Sequence, residues 1–382
     1  MTSVDSLPVL LLLNPGSSSI KWTVFSTTEN VLPGKLGAIA QGQVDSSVVN
    51  EVIGQLVEST ADFDICALVV RVVHGGAKFS HPVEVTDDNI NQLKAHDSLA
   101  PLHNRVAIEL IHSWRQRRKS LRIFAVFDTQ FFADLPLVAQ TYALPNALIK
   151  KHQIRRYGFH GFAHQDMLRQ WQKKNPYQPH FKLVTAQLGS GCSMAAIRDN
   201  QVLDTSMGFT PNEGLLMRTR CGDIDPGLLT WLQKKEGWPP EVLDDLLSLN
   251  SGWQGLSGGV DDMAELFASE HPQCRLAFDL FRYRTQKTLG AYFAILGGLD
   301  GVVLSGGIAE NSGAICRKLL AGLSHLGIEL STDQTGLDLP LCITTPNSAV
   351  QCWVVHADEA GAMLHSVQKQ FDNNFSIRSL AD

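Results

Sequence analysis

With 382 residues the chain exceeds what one hydrophobic core ordinarily fills, so two domains are expected. Its 44% hydrophobic and 18% charged residues exclude a disordered chain. A net charge of −6, with no basic run beyond Arg115–Lys119, argues against nucleic acid as a partner.

Val9–Leu13 reads as a buried strand ending in the small-residue turn Asn14–Ser19, and Ile20–Phe25 as the strand that returns from it. Ile65–Val73 is a strand carrying one charge, Arg71. Helical periodicity follows over Arg105–Arg118, then a strand over Ile123–Phe127 that stops at Asp128. The turn Arg155–Gly161 leads into a helix over Gly161–Lys173, and the strands Leu183–Leu188 and Met194–Ile197 flank Gly189–Ser193. A long helix is expected over Arg275–Leu296. The strand Gly301–Leu304 enters Ser305–Asn311, with a helix expected over Gly313–Leu326. Cys352–Val355 and a helix over Glu359–Phe371 complete the pattern. Strands alternating with helices predict an α/β fold.

The unit of strand, Gly/Ser turn and strand occurs at 9–25 and again at 183–198, with Ser19 falling on Ser193. Either the domain is duplicated or two hairpins arose independently. Duplication accounts for the length and predicts domains over 1–150 and 151–358, with a C-terminal helix in 359–382 packing back on the first. Seven cysteines, none in C-x-x-C spacing, read as free thiols. The first apolar run is too short for a signal peptide, and no stretch reaches the roughly 18 apolar residues of a membrane helix. A cytoplasmic location is therefore expected.

Three turns could cradle phosphate, because small residues let backbone N–H groups approach an anion. They are Gly16–Ser19 with Ser17, Ser19 and the nearby Lys21; Gly189, Ser190 and Gly191; and Gly306, Gly307 and Asn311 within Ser305–Asn311. None is a Walker A loop. Arg71 in an apolar strand is either one partner of a buried ion pair or a guanidinium aimed at an anion. Arg220, in Thr219–Pro226, belongs either to a surface network or to a site. His160, like His74 and His103, reads by itself first as a satisfied core histidine. Asp128 ends a strand, where α/β sheets present site residues, whereas Glu359 suits a helix start.

Taken together, these segments resemble the acetate kinase family of the actin/sugar-kinase fold. The residues that carry the resemblance are Asn14–Lys21, RVVHGG at Arg71–Gly76, LAPLHN at Leu99–Asn104, FDT at Phe127–Thr129, and RRYGFHG at Arg155–Gly161. DTSMGFTPNEG at Asp204–Gly214, GDIDP at Gly222–Pro226 and GGIAEN at Gly306–Asn311 complete them. The resemblance implies two duplicated actin-like (ribonuclease H-like) ATPase domains with an interdomain cleft. It implies reversible phosphoryl transfer between ATP and acetate, or the related propionate, with Mg2+, in a homodimer. Asn14 and Glu359 would hold the magnesium. Arg71, Arg220, His160, Asp128 and His103 would serve the phosphoryl group, and Val73, Leu102 and Pro211 would enclose the acid's methyl group.

Departures from the family pattern cluster at the nucleotide side. H-L-G-N-G reads Gln187-Leu188-Gly189-Ser190-Gly191, and Arg218 stands where glycine is usual. S-S-D-x-R-D reads Val260-Asp261-Asp262-Met263-Ala264-Glu265, which keeps Asp262 and Met263 as nucleotide contacts but replaces the arginine by Ala264. FDTAFH reads Phe127–Phe132, and the usual HR reads Val70-Arg71. Either the donor has changed, to another nucleotide, pyrophosphate or polyphosphate, or the chain is a slowed, ligand-sensing relative.

Overall fold

A computed structural model of the chain describes residues 8–16, 19–26, 38–45, 49–95, 101–332 and 338–374; the side chains of 8, 45, 49–52, 95, 101–103 and 369–374 lie outside the description. Contacts divide the chain into two units. One runs to Ala133 and resumes from Asp358; the other is Asp134–Ala357.

The first unit holds β1 (Pro8–Pro15), β2 (Ser19–Ser26), β3 (Ala38–Asp45), β4 (Asp64–Val72), β5 (Val83–Glu84) and β6 (Arg122–Phe127), in the order β3-β2-β1-β4-β6-β5. β1, β4 and β6 run parallel, while β2, β3 and β5 are antiparallel to their neighbours. The parallel strands are continuous apolar runs because both of their faces are covered: Val9–Leu13 and Ala67–Val70 are essentially inaccessible. The helix Pro101–Arg117 packs on β1 and β4, and the C-terminal helix Glu359–Asn374 packs on β1, β4 and β6.

The second unit holds β7 (Lys182–Leu188), β8 (Cys192–Arg198), β9 (Gln201–Thr205), β10 (Gly301–Ser305), β11 (Leu341–Cys342) and β12 (Gln351–Val354). Their order, β9-β8-β7-β10-β12-β11, repeats the first sheet strand for strand, with the same parallel and antiparallel pairs. The register shows where the copies differ. The first hairpin closes on the pair Pro15 and Ile20 and the second on Leu188 and Cys192, so the second turn is one residue shorter.

Residues 134–152 go with the second unit, which moves the first boundary from near residue 150 to Ala133. The reason is hydrogen bonding: Arg156 N–H donates to the Gln140 carbonyl at 2.8 Å, and the Tyr142 hydroxyl accepts from Phe209 N–H at 2.7 Å and donates to Glu213. The helix expected over Gly313–Leu326 is also shorter. It ends at Leu320, where Gly322 takes φ +86°, and a separate turn of 3-10 helix covers Ser324–Leu326. Among the described residues no helix is long and apolar enough to cross a membrane.

Candidate active site

In the first unit, the parallel strand ends bring four side chains into one network. Arg71, one residue before the end of β4, donates through Nε to Asp128 Oδ1 at 3.1 Å, and its Nη2 pairs with the other carboxylate oxygen. Its Nη1 donates to Asn14 Oδ1 at 2.7 Å, and Asn14 Nδ2 in turn donates to Glu359 Oε2 at 3.1 Å. The Asp128 side chain is 2% exposed and that of Arg71 13%. Burial by itself would weaken the charge on Arg71. The nearby carboxylates of Asp128 and Glu359 outweigh it and hold the guanidinium protonated well above its ordinary range. Of the two readings of Arg71, the structure shows the buried ion pair.

Val73 follows β4 and is buried. Asn104 anchors the adjoining turn, accepting from His74 N–H and donating to its carbonyl, both at 3.0 Å. His74 is thus a wholly buried structural residue whose Nδ1 accepts from Gly76 N–H at 2.9 Å. Ser17 and the side chains of Leu102 and His103 lie outside the described residues. Ser19 and Lys21 lie in β2, with Ser19 closing the hairpin through its carbonyl to Gly16 N–H at 2.8 Å; the Lys21 side chain is exposed. The departures at 127–132 have local structural uses. Gln130 Oε1 accepts from Phe127 N–H at 3.1 Å, and Phe132 is fully buried in the core.

In the second unit, His160 takes φ +59° at the start of the helix Gly161–Lys174, a left-handed conformation that turns its ring toward β8. A Cβ added to Gly191 would lie 3.2 Å from both the His160 Nε2 and the Arg220 Nη1 atoms, so the glycine, the imidazole and the guanidinium share one location. Among the described residues no carboxylate pairs with Arg220, whose guanidinium has Met217 Sδ, at 4.0 Å, as its hydrogen-bond partner. Burial pulls its pKa below the ordinary value, with only the Cys192 thiol opposing. Arg220 is thus a desolvated cation with no counter-ion among the described residues of its own unit.

Two of the three glycine turns meet here. Gly306, at φ +89°, admits no side chain, because a Cβ would lie 2.5 Å from the Leu188 carbonyl oxygen; one on Gly189 would come within 3.9 Å of Gly307 N. Glu310 Oε1 holds the turn, accepting from Ser305 Oγ and from Gly306 N–H, each at 2.8 Å. Ser190 accepts through its carbonyl from Arg218 N–H at 3.0 Å. Among the described residues no acid pairs with the Arg218 guanidinium, and the shielded Gln187 Oε1 has no hydrogen-bond partner. Asn311, bonded to the Gly307 carbonyl at 2.8 Å, opens onto a cavity of about 740 Å³ lined also by Phe267, Ser312, Arg317 and Lys318. Asp262 and Met263 do not line it. Asp262 caps the helix Met263–Ala268, accepting from Ala264 and Glu265 N–H, and Met263 is buried in the core. Pro211 lies in a loop bounded by Phe209 and Glu213, both bonded to Tyr142.

A duplicated mixed sheet, with an arginine–carboxylate network at the strand ends of one copy and glycine turns at those of the other, defines a protein of the actin-like ATPase fold. Residues 34–365 match the sequence model of the acetokinase family, and the chain belongs to that family. It is 35% identical to an acetate kinase of Brachyspira hyodysenteriae, over 93% of this chain and 97% of that protein. It is 37% identical to one of Dictyoglomus thermophilum, over 92% and 96%. Among solved structures, Porphyromonas gingivalis acetate kinase superposes with a TM-score of 0.84 at 31% identity, covering 95% of this chain and 99% of that one. A propionate kinase from Francisella tularensis gives 0.83 at 32%, covering 94% and 99%.

Proposed function

We propose that this phosphotransferase, with a carboxyl group as acceptor, moves a phosphoryl group reversibly between a nucleoside triphosphate and acetate or propionate, giving an acyl phosphate. The observation that carries the reading is the network of Arg71, Asp128, Asn14 and Glu359. Phosphoryl transfer spreads negative charge over equatorial oxygens, and fixed cations supply most of the stabilisation. Arg71 is fixed by three bonds to Asp128 and Asn14, and Arg220 is a buried cation with no carboxylate partner among the described residues of the second unit. We assign both to the phosphoryl group, together with His160 and His103, and give Asp128 the task of orienting Arg71. Val73, Leu102 and Pro211 are assigned to the acid's alkyl group. Gly189, Ser190, Gly191, Gly306 and Gly307 are assigned to the donor phosphates, and the cavity beside Asn311 to the nucleoside.

The Asn14 carbonyl and the Glu359 carboxylate are hard oxygen donors suited to Mg2+, which takes few protein ligands and completes its shell with water and phosphate. Glu359 Oε1 is unengaged among the described residues, and Asn14 Oδ1 retains one lone pair beside Arg71. Bound there, the ion would offset phosphate charge. The seven free cysteines fit a reducing cytoplasm. Leu276 and Tyr283, seven residues apart on one helix and more than half exposed, fit a homodimer, which light scattering would detect.

The test is acyl-hydroxamate formation with ATP, GTP and pyrophosphate against acetate and propionate, with Arg218→Gly alongside the parent. Turnover is expected, with Arg218→Gly shifting the donor KM and leaving the acid KM in place. Folded protein that turns over no donor would overturn the reading.

A further inference from the structure

Four polar groups behind Gly191 form a chain that ends on His160. Thr185 Oγ1 lies 2.7 Å from His164 Nδ1, His164 Nε2 lies 2.8 Å from Ser193 Oγ, and Ser193 Oγ lies 2.9 Å from His160 Nδ1. Thr185, His164 and Ser193 are each 0% exposed, so water cannot complete their bonding. Thr185 comes from β7, His164 from the helix Gly161–Lys174 and Ser193 from β8, while His160 is the residue that precedes that helix.

Proton counting gives the chain a direction. Each hydroxyl has one hydrogen to donate, and a neutral imidazole has one donor and one acceptor nitrogen. His164 is neutral, because burial, with His160 nearby, holds its pKa well below the ordinary value. Among the described residues, the only hydrogen-bond acceptor the Thr185 hydroxyl meets is His164 Nδ1. If His164 donated there instead, a buried hydroxyl hydrogen would be left unsatisfied, which native interiors avoid. Thr185 therefore donates to His164 Nδ1, and His164 Nε2–H donates to Ser193. The Ser193 hydrogen is left for His160 Nδ1.

We infer that Thr185, His164 and Ser193 are positioning residues that hold the His160 imidazole with Nδ1 as acceptor and its proton on Nε2, the atom facing the Gly191–Arg220 location. His160 then acts as a hydrogen-bond donor to an anionic oxygen of the phosphoryl group and not as a base. The chemistry agrees, since a carboxylate acceptor is already ionised at neutral pH and needs no base to activate it. The inference rests on the carboxylate-kinase reading for the role of His160, but the tautomer is a property of the resting protein and can be measured without turnover.

The test is a two-bond proton–nitrogen correlation spectrum of the full chain labelled with 15N-histidine, with the His160 signals assigned by their loss in His160→Gln. The parent should show a protonated Nε2 and a bare Nδ1. Thr185→Val keeps the shape of the side chain and removes the donor. It should mix the His160 tautomers and lower kcat by roughly 10–100-fold, the scale seen for groups that orient metal-bound histidines, with the acid KM little changed. Thr185→Ser should restore both readouts. A parent with its proton on Nδ1 overturns the inference even if Thr185→Val does not fold. So does a folded Thr185→Val with an unchanged tautomer or an unchanged kcat. Absence of turnover in a parent with the expected tautomer would instead count against the carboxylate-kinase reading.

Discussion

Replacing Arg71 by Ala should damage stability and activity through different routes, and a second substitution separates them. The Asp128 side chain is 2% exposed and its charge is balanced by Arg71. Removing the guanidinium leaves a buried carboxylate without a cation, which typically costs about 3–5 kcal/mol. For a unit of this size, that corresponds to a fall of about 6–20 °C in the melting temperature. Turnover should fall by about 10²–10³-fold or more, because a cation aimed at developing charge is lost. In Arg71→Ala/Asp128→Ala the orphaned charge is gone as well. Melting temperature should then recover part of its loss while turnover stays down. Differential scanning calorimetry beside the hydroxamate assay reads both quantities. A double variant no more stable than Arg71→Ala, or an Arg71→Ala protein within 1 °C of the parent, would refute the buried-pair argument.

Gly306→Ala meets the Leu188 carbonyl at 2.5 Å in a backbone at φ +89°. We expect a loss of at least about 1–3 kcal/mol and a raised donor KM; an unchanged melting temperature would contradict the close approach. His164 bears on acid stability. Its folded pKa is depressed below the ordinary 6.5, so its contribution is fully present above pH 6.5 and is lost as pH falls through the folded value. Chemical denaturation from pH 7.5 to 5 should show stability falling by up to about 1.4 kcal/mol per pH unit from this residue, and His164→Asn should flatten that slope. Val73→Ala should shift the propionate-to-acetate ratio of kcat/KM upward by about 5-fold, the worth of roughly 1 kcal/mol in a small apolar pocket. Equal ratios would place the alkyl group elsewhere.

The strands legible in the sequence are the well-buried ones, because sustained burial writes an apolar run: β1, β2, β4, β6, β7, β8, β10 and β12. The strands that escaped it, β3, β5, β9 and β11, lie at or next to sheet edges and are short or polar, as in Ala38–Asp45, where Gln41, Gly42 and Gln43 break the pattern. The helix expected to reach Leu326 overran because periodicity carries across a glycine whose left-handed turn only the fold imposes. Candidate residues were found by type, an arginine in an apolar run or glycines after strands. Their partners were not. Asp262 resembled a nucleotide contact and is a helix cap, and the 127–132 departures proved to be a backbone bond and a core phenylalanine. Thr185 and His164 gave no sign beyond the four-residue histidine spacing, since a hydroxyl inside an apolar strand is common and its partner is 21 residues away. By itself, the chain's order of apolar runs and small-residue turns predicted an α/β fold, and its motifs carried the resemblance to the acetate kinase family. Tertiary structure alone decided which polar groups share protons and charge, because a hydrogen bond depends on ångströms between atoms that the chain sets far apart: Asn14 and Glu359 are 345 residues distant and 3.1 Å in contact.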